Sequence, residues 1–231
     1  MVGLGKDWGK IVFTLRELIS VYEKGNEMLS LGRAKGLRME AVSKLRGSGV
    51  LLDIGCGPGY MSFYAINSGW KGEILLVDPL LEMLKEARKR VSGHLIAAVA
   101  EHLPLRSNCV DAWVAGFSFR DAMDREEALK EMTRVLKQEG EGVLLDLSKP
   151  ESPLNRFFIR LYWTVSPYLL ALRMGKLGLA YRGILLTYKK LPKLNKFLEP
   201  FHRFYGKVLY TTRFLGGVMM LYVSDPKPPE F

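Results

Sequence analysis

The sequence feature that most constrains the fold is a glycine-rich turn between an apolar run and an amphipathic stretch. The turn begins with an acid and reads Asp53-Ile54-Gly55-Cys56-Gly57-Pro58-Gly59. Glycine adopts positive φ without strain and lets a ligand approach the backbone closely. A second acid, Asp78, ends the next apolar run. A strand, a glycine turn, a helix and a second strand ending in an acid together indicate a nucleotide-type site in a parallel α/β sheet.

Between residues 50 and 147, strand-length apolar runs alternate with helix-length amphipathic stretches. The predicted strands are residues 50–54, 74–77, 95–99, 111–115 and 142–147, and the helices between them are residues 60–68, 80–91 and 125–137. Repeated βα units of this kind form a parallel sheet. Two more β-rich runs, residues 207–213 and 217–224, predict a C-terminal antiparallel hairpin. The predicted fold is therefore α/β and Rossmann-like, with a mostly parallel seven-stranded sheet.

Helical segments flank this predicted sheet on both sides along the chain. Residues 11–23 and 33–45 each predict one amphipathic helix, and residues 153–204 predict a helical, aromatic lid. Proline breaks a helix interior, so the prolines at 167, 192 and 200 predict several short helices in the lid. The prolines from residue 226 onward predict a frayed tail.

Positive charge is concentrated in the predicted lid. The chain has a net charge of +10, and residues 151–207 alone hold 11 Lys and Arg against two Asp and Glu. Cations there alternate with apolar residues, as they do in helices that lie on an anionic membrane surface. The apolar members are Phe157, Phe158, Tyr162, Trp163, Tyr168 and Leu169. The alternative is that these side chains cover the sheet and the binding pocket while the cations face water.

Composition limits the compartment of the protein. Two cysteines, Cys56 and Cys109, are too few for a disulfide framework and lack metal-ligand spacing, which predicts a cytoplasmic protein without a metal. The longest nearly uncharged run, residues 161–172, is shorter than the ~20 residues that a membrane-spanning helix needs. A single glutamine, Gln138, beside abundant Lys, Arg and Glu predicts a thermophilic source.

The residues around the glycine turn favour a cationic nucleoside over a dinucleotide. A dinucleotide site needs a small residue where Tyr60 stands. A carboxylate at Asp53 would repel a diphosphate but suits an ammonium group. Asp78 can accept hydrogen bonds from both hydroxyls of a ribose. The sequence therefore disfavours a dehydrogenase.

Several motifs occur in a fixed order along the chain. They are Tyr22-Glu23-Lys24-Gly25-Asn26, Phe117-Ser118-Phe119-Arg120-Asp121, Glu131-Met132-Thr133-Arg134-Val135-Leu136-Lys137 and Leu147-Ser148-Lys149-Pro150. With the glycine turn, they resemble class I S-adenosylmethionine-dependent methyltransferases, and within them the ubiquinone/menaquinone biosynthesis C-methyltransferases. The resemblance implies S-adenosylmethionine as methyl donor, a prenylated quinol such as demethylmenaquinol as acceptor, and no metal.

The residues and the resemblance together predict the site and the organisation of the chain. The cofactor contacts are assigned to Asp53, Gly55, Cys56, Gly57, Pro58, Gly59, Asp78, Pro79, Val99, Ala100, Glu101 and Gly116. The acceptor contacts are assigned to Tyr22, Asn26 and Phe117. The predicted regions are N-terminal helices over the active site (1–48), a cofactor-binding core (49–150), a lid with the acceptor region (151–206) and the hairpin (207–231).

Arg120 and Asp121 are the predicted catalytic residues. They follow the fourth predicted strand, at the sheet edge where such folds bind ligands. A ring carbon becomes nucleophilic once its neighbouring hydroxyl gives up a proton. Arginine stays protonated, so Arg120 would stabilise the phenolate or hold a water, and Asp121 or a water that it holds would accept the proton. The alternative for Arg120 is a surface salt bridge.

Three other functions stay open at the level of sequence. A methyltransferase of another small or lipid acceptor would have the same core. A nucleic-acid methyltransferase fits the basic lid, but no Asn/Asp-Pro-Pro-Tyr motif follows the fourth strand. A non-catalytic cofactor-binding module is disfavoured by the intact Asp53, Asp78 and Arg120. The oligomeric state is not indicated.

Overall fold

The predicted apolar runs form one seven-stranded sheet in the computed structural model, which describes residues 3–45 and 47–227. The strands are β1 (Ser48–Ile54), β2 (Lys71–Val77), β3 (His94–Ile96), β4 (Val110–Gly116), β5 (Leu136–Leu147), β6 (Tyr205–Arg213) and β7 (Val218–Pro226). Their order across the sheet is β3-β2-β1-β4-β5-β7-β6. The first five strands run parallel, and β7 pairs antiparallel with both β5 and β6. The predicted fold class is therefore confirmed.

Three helices connect the parallel strands and pack on the sheet. They are α4 (Tyr60–Asn67), α5 (Leu81–Arg88) and α6 (Arg125–Val135). Asp124 caps α6 by accepting the N–H groups of Glu126 and Glu127, and the buried face of α6 places Leu129 and Met132 in the core. The prediction that this helix reaches residue 137 is wrong, because the chain enters β5 directly at Leu136.

The N-terminal helices are α1 (Trp8–Leu18), α2 (Tyr22–Leu29) and α3 (Ala34–Val42). The prediction of one helix over residues 11–23 is wrong, since a 3-10 turn at Ile19–Val21 separates α1 from α2. Apolar residues keep their helical spacing across this turn, so their pattern in the sequence does not indicate the break. Residue 46, residues 1–2 and residues 228–231 lie outside the described residues.

The C-terminal helices are α7 (Pro153–Met174), α8 (Lys176–Ala180), α9 (Arg182–Lys190) and α10 (Leu194–Phe204). The prediction that prolines divide this segment is wrong at Pro167 and Pro200, which both lie inside helices. An interior proline costs a helix roughly 3 kcal/mol. Both prolines are buried, so tertiary packing compensates for the lost backbone hydrogen bond. Pro192 falls in the connection between α9 and α10, as predicted.

The C-terminal hairpin matches its prediction except at its end. Pro226 is the last residue of β7 and pairs with Tyr205, and the Lys227 N–H donates to the Phe204 carbonyl. The frayed tail predicted from residue 226 is therefore wrong for these two residues, and its remainder lies outside the described residues. Within residues 3–45 and 47–227, no helix is both long and apolar enough to cross a membrane.

Candidate active site

A cavity of about 510 Å³ lies at the carboxyl ends of the parallel strands. Its floor is formed by residues that end β1, follow β2 and β3, and follow β4. Its walls come from α1, α2, α7 and α9. Parallel α/β sheets bind ligands at this edge, because the helix N-termini and the loops meet there.

The glycine turn brings the backbone to the cavity at Gly57. This residue has φ +50, and a Cβ atom placed on it would meet no atom within 4 Å. Its N–H donates to Asp78 Oδ2 at 2.8 Å, and Asp78 Oδ1 accepts the Leu80 N–H at 2.9 Å. Burial raises the pKa of Asp78 to about 6. A carboxylate and an open stretch of backbone therefore face the same space.

The predicted cofactor residues divide into those on the cavity wall and those behind it. On the wall lie Gly55, Gly57, Asp78, Pro79, Val99, Ala100, Glu101 and Gly116. Behind it lie Asp53, Cys56, Pro58 and Gly59, which shape the turn instead. Glu101 also holds the loop before α6, because its Oε1 accepts the N–H groups of Met123 and Asp124.

Asp53 is fully buried beneath the glycine turn. Its Oδ2 accepts both the N–H and the hydroxyl of Ser62, at 3.0 and 2.7 Å. Its Oδ1 is buried without a hydrogen-bond partner among the described residues. Burial raises the pKa of Asp53 to about 6, although the Ser62 hydrogen bonds oppose the rise. An unpaired buried carboxylate oxygen fits a neighbouring cationic group electrostatically.

The predicted acceptor and catalytic residues share this cavity. Tyr22, Asn26, Phe117, Arg120 and Asp121 all line it. Arg120 is only 9% exposed, so the surface salt bridge considered for it is excluded. Burial raises the pKa of Tyr22 above its usual value, although the nearby guanidinium groups oppose the rise.

Arg120 lies between two carboxylates. Its Nη1 is 2.8 Å from Asp146 Oδ1, and its Nη2 is 3.4 Å from Asp121 Oδ2. Burial alone would lower the pKa of Arg120, but these two carboxylates outweigh it and raise the pKa above its usual value. Burial raises the pKa of Asp121 to about 6, against the opposing effect of Arg120. The site thus pairs a permanent cation with a buried acid whose pKa is raised to about 6.

A model of the ubiE/COQ5 methyltransferase family matches residues 7–211 of the chain. The chain belongs to this family. Ubiquinone/menaquinone biosynthesis C-methyltransferase UbiE of Syntrophotalea carbinolica is 30% identical over 211 residues, which cover 87% of each chain. Demethylmenaquinone methyltransferase of Desulfitobacterium hafniense is 30% identical over 97% of this chain and 92% of its own length. The protein is thus an S-adenosylmethionine-dependent methyltransferase.

Solved structures agree with this assignment at the level of the fold. A S-adenosylmethionine-dependent methyltransferase from Thermotoga maritima, described as a possible histamine N-methyltransferase, superposes with a TM-score of 0.68. The two proteins are 18% identical over 93% of this chain and 99% of that one. At this identity the likeness concerns the architecture of the methyltransferase, not its acceptor.

Sequence reasoning did not identify two parts of the methyltransferase site. From its place at the end of the fifth predicted strand, Asp146 could line the pocket or cap the following turn, whereas in the structure it pairs with Arg120. The second part is the apolar wall, to which α1 contributes Trp8, Ile11 and Leu15 and the C-terminal helices contribute Ile159 and Ile184. Of these two parts, only Asp146 could be recognised in the sequence, as an acid at the end of a predicted strand. The apolar wall could not, because it is assembled from segments that are distant in the sequence.

The helix α2, which carries Tyr22 and Asn26, is held at both ends. Tyr181 donates its hydroxyl to the Tyr22 carbonyl at 3.2 Å, and Tyr162 donates to the Leu29 carbonyl. Gly25 allows the close approach, since a Cβ on it would lie 1.8 Å from the Tyr181 oxygen. The C-terminal helices of the methyltransferase thus position the helix that carries Tyr22 and Asn26, the predicted acceptor contacts.

Proposed function

We propose that this methyltransferase methylates a ring carbon of a prenylated quinol such as demethylmenaquinol. The observation that carries the proposal is one cavity with Arg120 and Asp121 on one wall and apolar side chains on most of the others. A hydroxylated ring suits the polar wall, and an isoprenoid chain suits the apolar ones. The names of the two relatives, which refer to quinone biosynthesis, support the same acceptor class.

The cofactor is proposed to lie along the glycine turn. When bound, S-adenosylmethionine supplies an electrophilic methyl group on a sulfonium, which becomes a neutral thioether on transfer. Asp78 accepts the ribose hydroxyls, and the backbone at Gly57 leaves room for the ligand beside it. Val99 and Ala100 lie on the wall assigned to the adenine. Asp53 contributes negative charge from beneath the turn.

Arg120 and Asp121 are proposed to control the proton of the acceptor. Asp121, with a pKa of about 6, is mostly ionised at neutral pH and takes the hydroxyl proton directly or through a water. Arg120 stays charged and stabilises the phenolate, which makes the neighbouring ring carbon nucleophilic. After the carbon–methyl bond forms, that carbon loses its hydrogen as a proton and the oxygen regains the proton held by Asp121. One proton is released overall.

The acceptor test uses a short-chain demethylmenaquinol and labelled S-adenosylmethionine, with the product located by mass spectrometry. We expect label on the ring carbon of the quinol and none on the matched oxidised quinone, because the quinone has no hydroxyl proton to give up. Label on an oxygen, or no labelled quinol while a lipid extract is labelled elsewhere, would contradict the proposed acceptor.

The exposed face of α7 is proposed to rest on the cytoplasmic surface of an anionic membrane. Its exposed apolar residues recur at helical spacing and form a single stripe: Leu154, Phe157, Phe158, Leu161, Val165, Tyr168, Leu169 and Leu172. Arg160, Arg173 and Lys176 are exposed on the same segment. Phe158 belongs to the stripe and also lines the cavity, so the stripe reaches the acceptor site. Tyr162 and Trp163 face the cavity instead, as the alternative interpretation expected.

Vesicle sedimentation tests the membrane proposal. Interfacial helices bind through buried apolar area together with about 1 kcal/mol for each cation near anionic lipid. We expect binding to anionic vesicles that weakens at high salt and weakens again in Leu161→Ser. Leu209→Ser on β6 is the matched control, because Leu209 is 50% exposed and Leu161 is 48% exposed. No binding to either anionic or neutral vesicles would refute the proposal. Tighter binding to RNA than to vesicles would favour a nucleic-acid acceptor.

A further inference from the structure

Asp146 is the penultimate residue of β5 and is fully buried, with no place among the residues that line the cavity. Its carboxylate binds both the backbone and the side chain of Arg120. Oδ2 accepts the Arg120 N–H at 2.8 Å, and Oδ1 accepts Arg120 Nη1 at 2.8 Å and the Leu147 N–H at 2.7 Å. A buried acid with three donors fixes their relative positions closely.

Besides Asp146, Arg120 is held by the loop after β4 and by α6. Its Nη1 also donates to the Phe117 carbonyl, and Arg125 donates through Nε and Nη2 to the Arg120 carbonyl. The contact with Asp121 is looser at 3.4 Å, and Asp121 Oδ1 has no hydrogen-bond partner within the described part of the chain. Asp146 therefore competes with Asp121 for the guanidinium.

We propose that Asp146 is a positioning residue that holds Arg120 away from a full ion pair with Asp121, which leaves Asp121 able to take the acceptor's proton. The proton-transfer part rests on the proposed function, whereas the competition for Arg120 rests on geometry alone. Without Asp146, the guanidinium group of Arg120 would turn both of its Nη atoms toward Asp121. A bidentate pair of this kind would occupy the carboxylate oxygens that must receive the proton.

Four charged or titratable groups face Asp121. They are Arg120 beside it, Asp146 from β5, Arg125 from α6 and Tyr22 from α2. The side chains that α9 contributes to the cavity, Ile184 and Thr187, carry no charge. Asp146 raises the pKa of Asp121 by like-charge repulsion, while both arginines lower it. Removing Asp146 deletes the repulsion and strengthens the pairing with Arg120, so both effects lower the pKa of Asp121.

The test is a carbon-13 NMR titration of the Asp121 carboxyl, assigned by its disappearance in Asp121→Asn. In the unchanged protein we expect a midpoint near pH 6. In Asp146→Asn, which keeps the side-chain size and removes the charge, we expect a midpoint about one pH unit lower. Asp111→Asn is the matched control. Asp111 also accepts hydrogen bonds from a main-chain N–H, that of Val50, and from a cation, that of Lys137, but it lies at the opposite end of β4. In Asp111→Asn the Asp121 midpoint should not move.

Kinetics with the quinol separate this inference from the proposed function. In Asp146→Asn we expect a lower kcat, an acidic limb of the kcat–pH profile displaced to lower pH, and unchanged affinity for S-adenosylhomocysteine. Asp146→Ser provides the same readouts if the amide variant does not fold. An unshifted Asp121 midpoint in either variant, or a midpoint near pH 4 in the unchanged protein, overturns the inference. A shifted midpoint in a protein that does not methylate the quinol overturns only the proposed acceptor.

Discussion

Replacing Asp78 by alanine should weaken cofactor binding while leaving the sheet intact. In the structure the Asp78 carboxylate accepts the N–H groups of Gly57 and Leu80 and still faces the cavity. Two hydrogen bonds from ribose hydroxyls to a charged carboxylate are worth about 1.5–3 kcal/mol each. Their loss predicts an affinity for S-adenosylhomocysteine that is roughly 10²- to 10⁴-fold lower. Titration calorimetry measures this directly.

The dependence of this binding on pH provides a second, independent readout. Because the carboxylate must be ionised to accept both hydroxyls and its pKa is about 6, affinity should fall by up to about tenfold per pH unit below pH 6. Asp78→Asn should lose the part of that dependence that Asp78 causes and keep the part that Asp53 causes through its own pKa of about 6. Asp111→Ala should keep the affinity of the unchanged protein. Affinity within about threefold of the parent in a folded Asp78→Ala protein would refute the assignment of Asp78 to the ribose.

Three further outcomes are expected. Arg120→Ala should lower kcat by roughly 10²-fold or more, while calorimetry shows nearly unchanged cofactor affinity, because the lost interaction forms only in the transition state. A parallel loss of cofactor affinity would assign Arg120 to the cofactor pocket instead. The free energy of unfolding of the ligand-free protein should rise as the pH falls from 7 to 5, by about 1 kcal/mol for each of Asp53, Asp78 and Asp121. Each of these pKa values is about 6 in the folded protein and about 3.8 in the unfolded chain, so the folded state binds more protons in this range. An unfolding free energy that does not change with pH in denaturant titrations would argue against buried carboxylates. Gly25→Ala should destabilise the protein by about 1–3 kcal/mol through its clash with Tyr181, whereas Gly36→Ala on the exposed face of α3 should be neutral or stabilising in thermal unfolding.

The fold was predictable because its signals are local. Each buried strand is an apolar run of its own, and the glycine turn and Asp78 fall where two strands end. Local rules failed where distant contacts override them. Pro167 stands inside a 22-residue helix because its surroundings bury it, and the break between α1 and α2 interrupts an otherwise continuous apolar pattern.

The site was predictable where neighbours in sequence are neighbours in space. Arg120 and Asp121 are adjacent, so one motif showed both. The partner that orients Arg120, Asp146, lies 26 residues further along the chain and on a different strand. The apolar wall joins α1 to α7 and α9, which are separated by most of the chain. No local pattern contains such pairings, because the sheet order that creates them is a property of the whole chain.

The direction of each carboxyl pKa shift separates the acids of the site from the acids of the surface. Asp7 forms hydrogen bonds with Lys190 and Lys10, which lower its pKa to about 2, and the Arg134 hydrogen bond lowers the pKa of Glu131. Such acids are more easily ionised in the folded protein than in the unfolded chain and so favour folding near neutral pH. Asp53, Asp78 and Asp121 are shifted the opposite way by burial. They oppose folding near neutral pH, and a contact that stabilises their charged forms offsets this cost. Acids that oppose folding near neutral pH, and that lie on or directly beneath one cavity, are candidates for binding a ligand in that cavity in addition to holding the glycine turn.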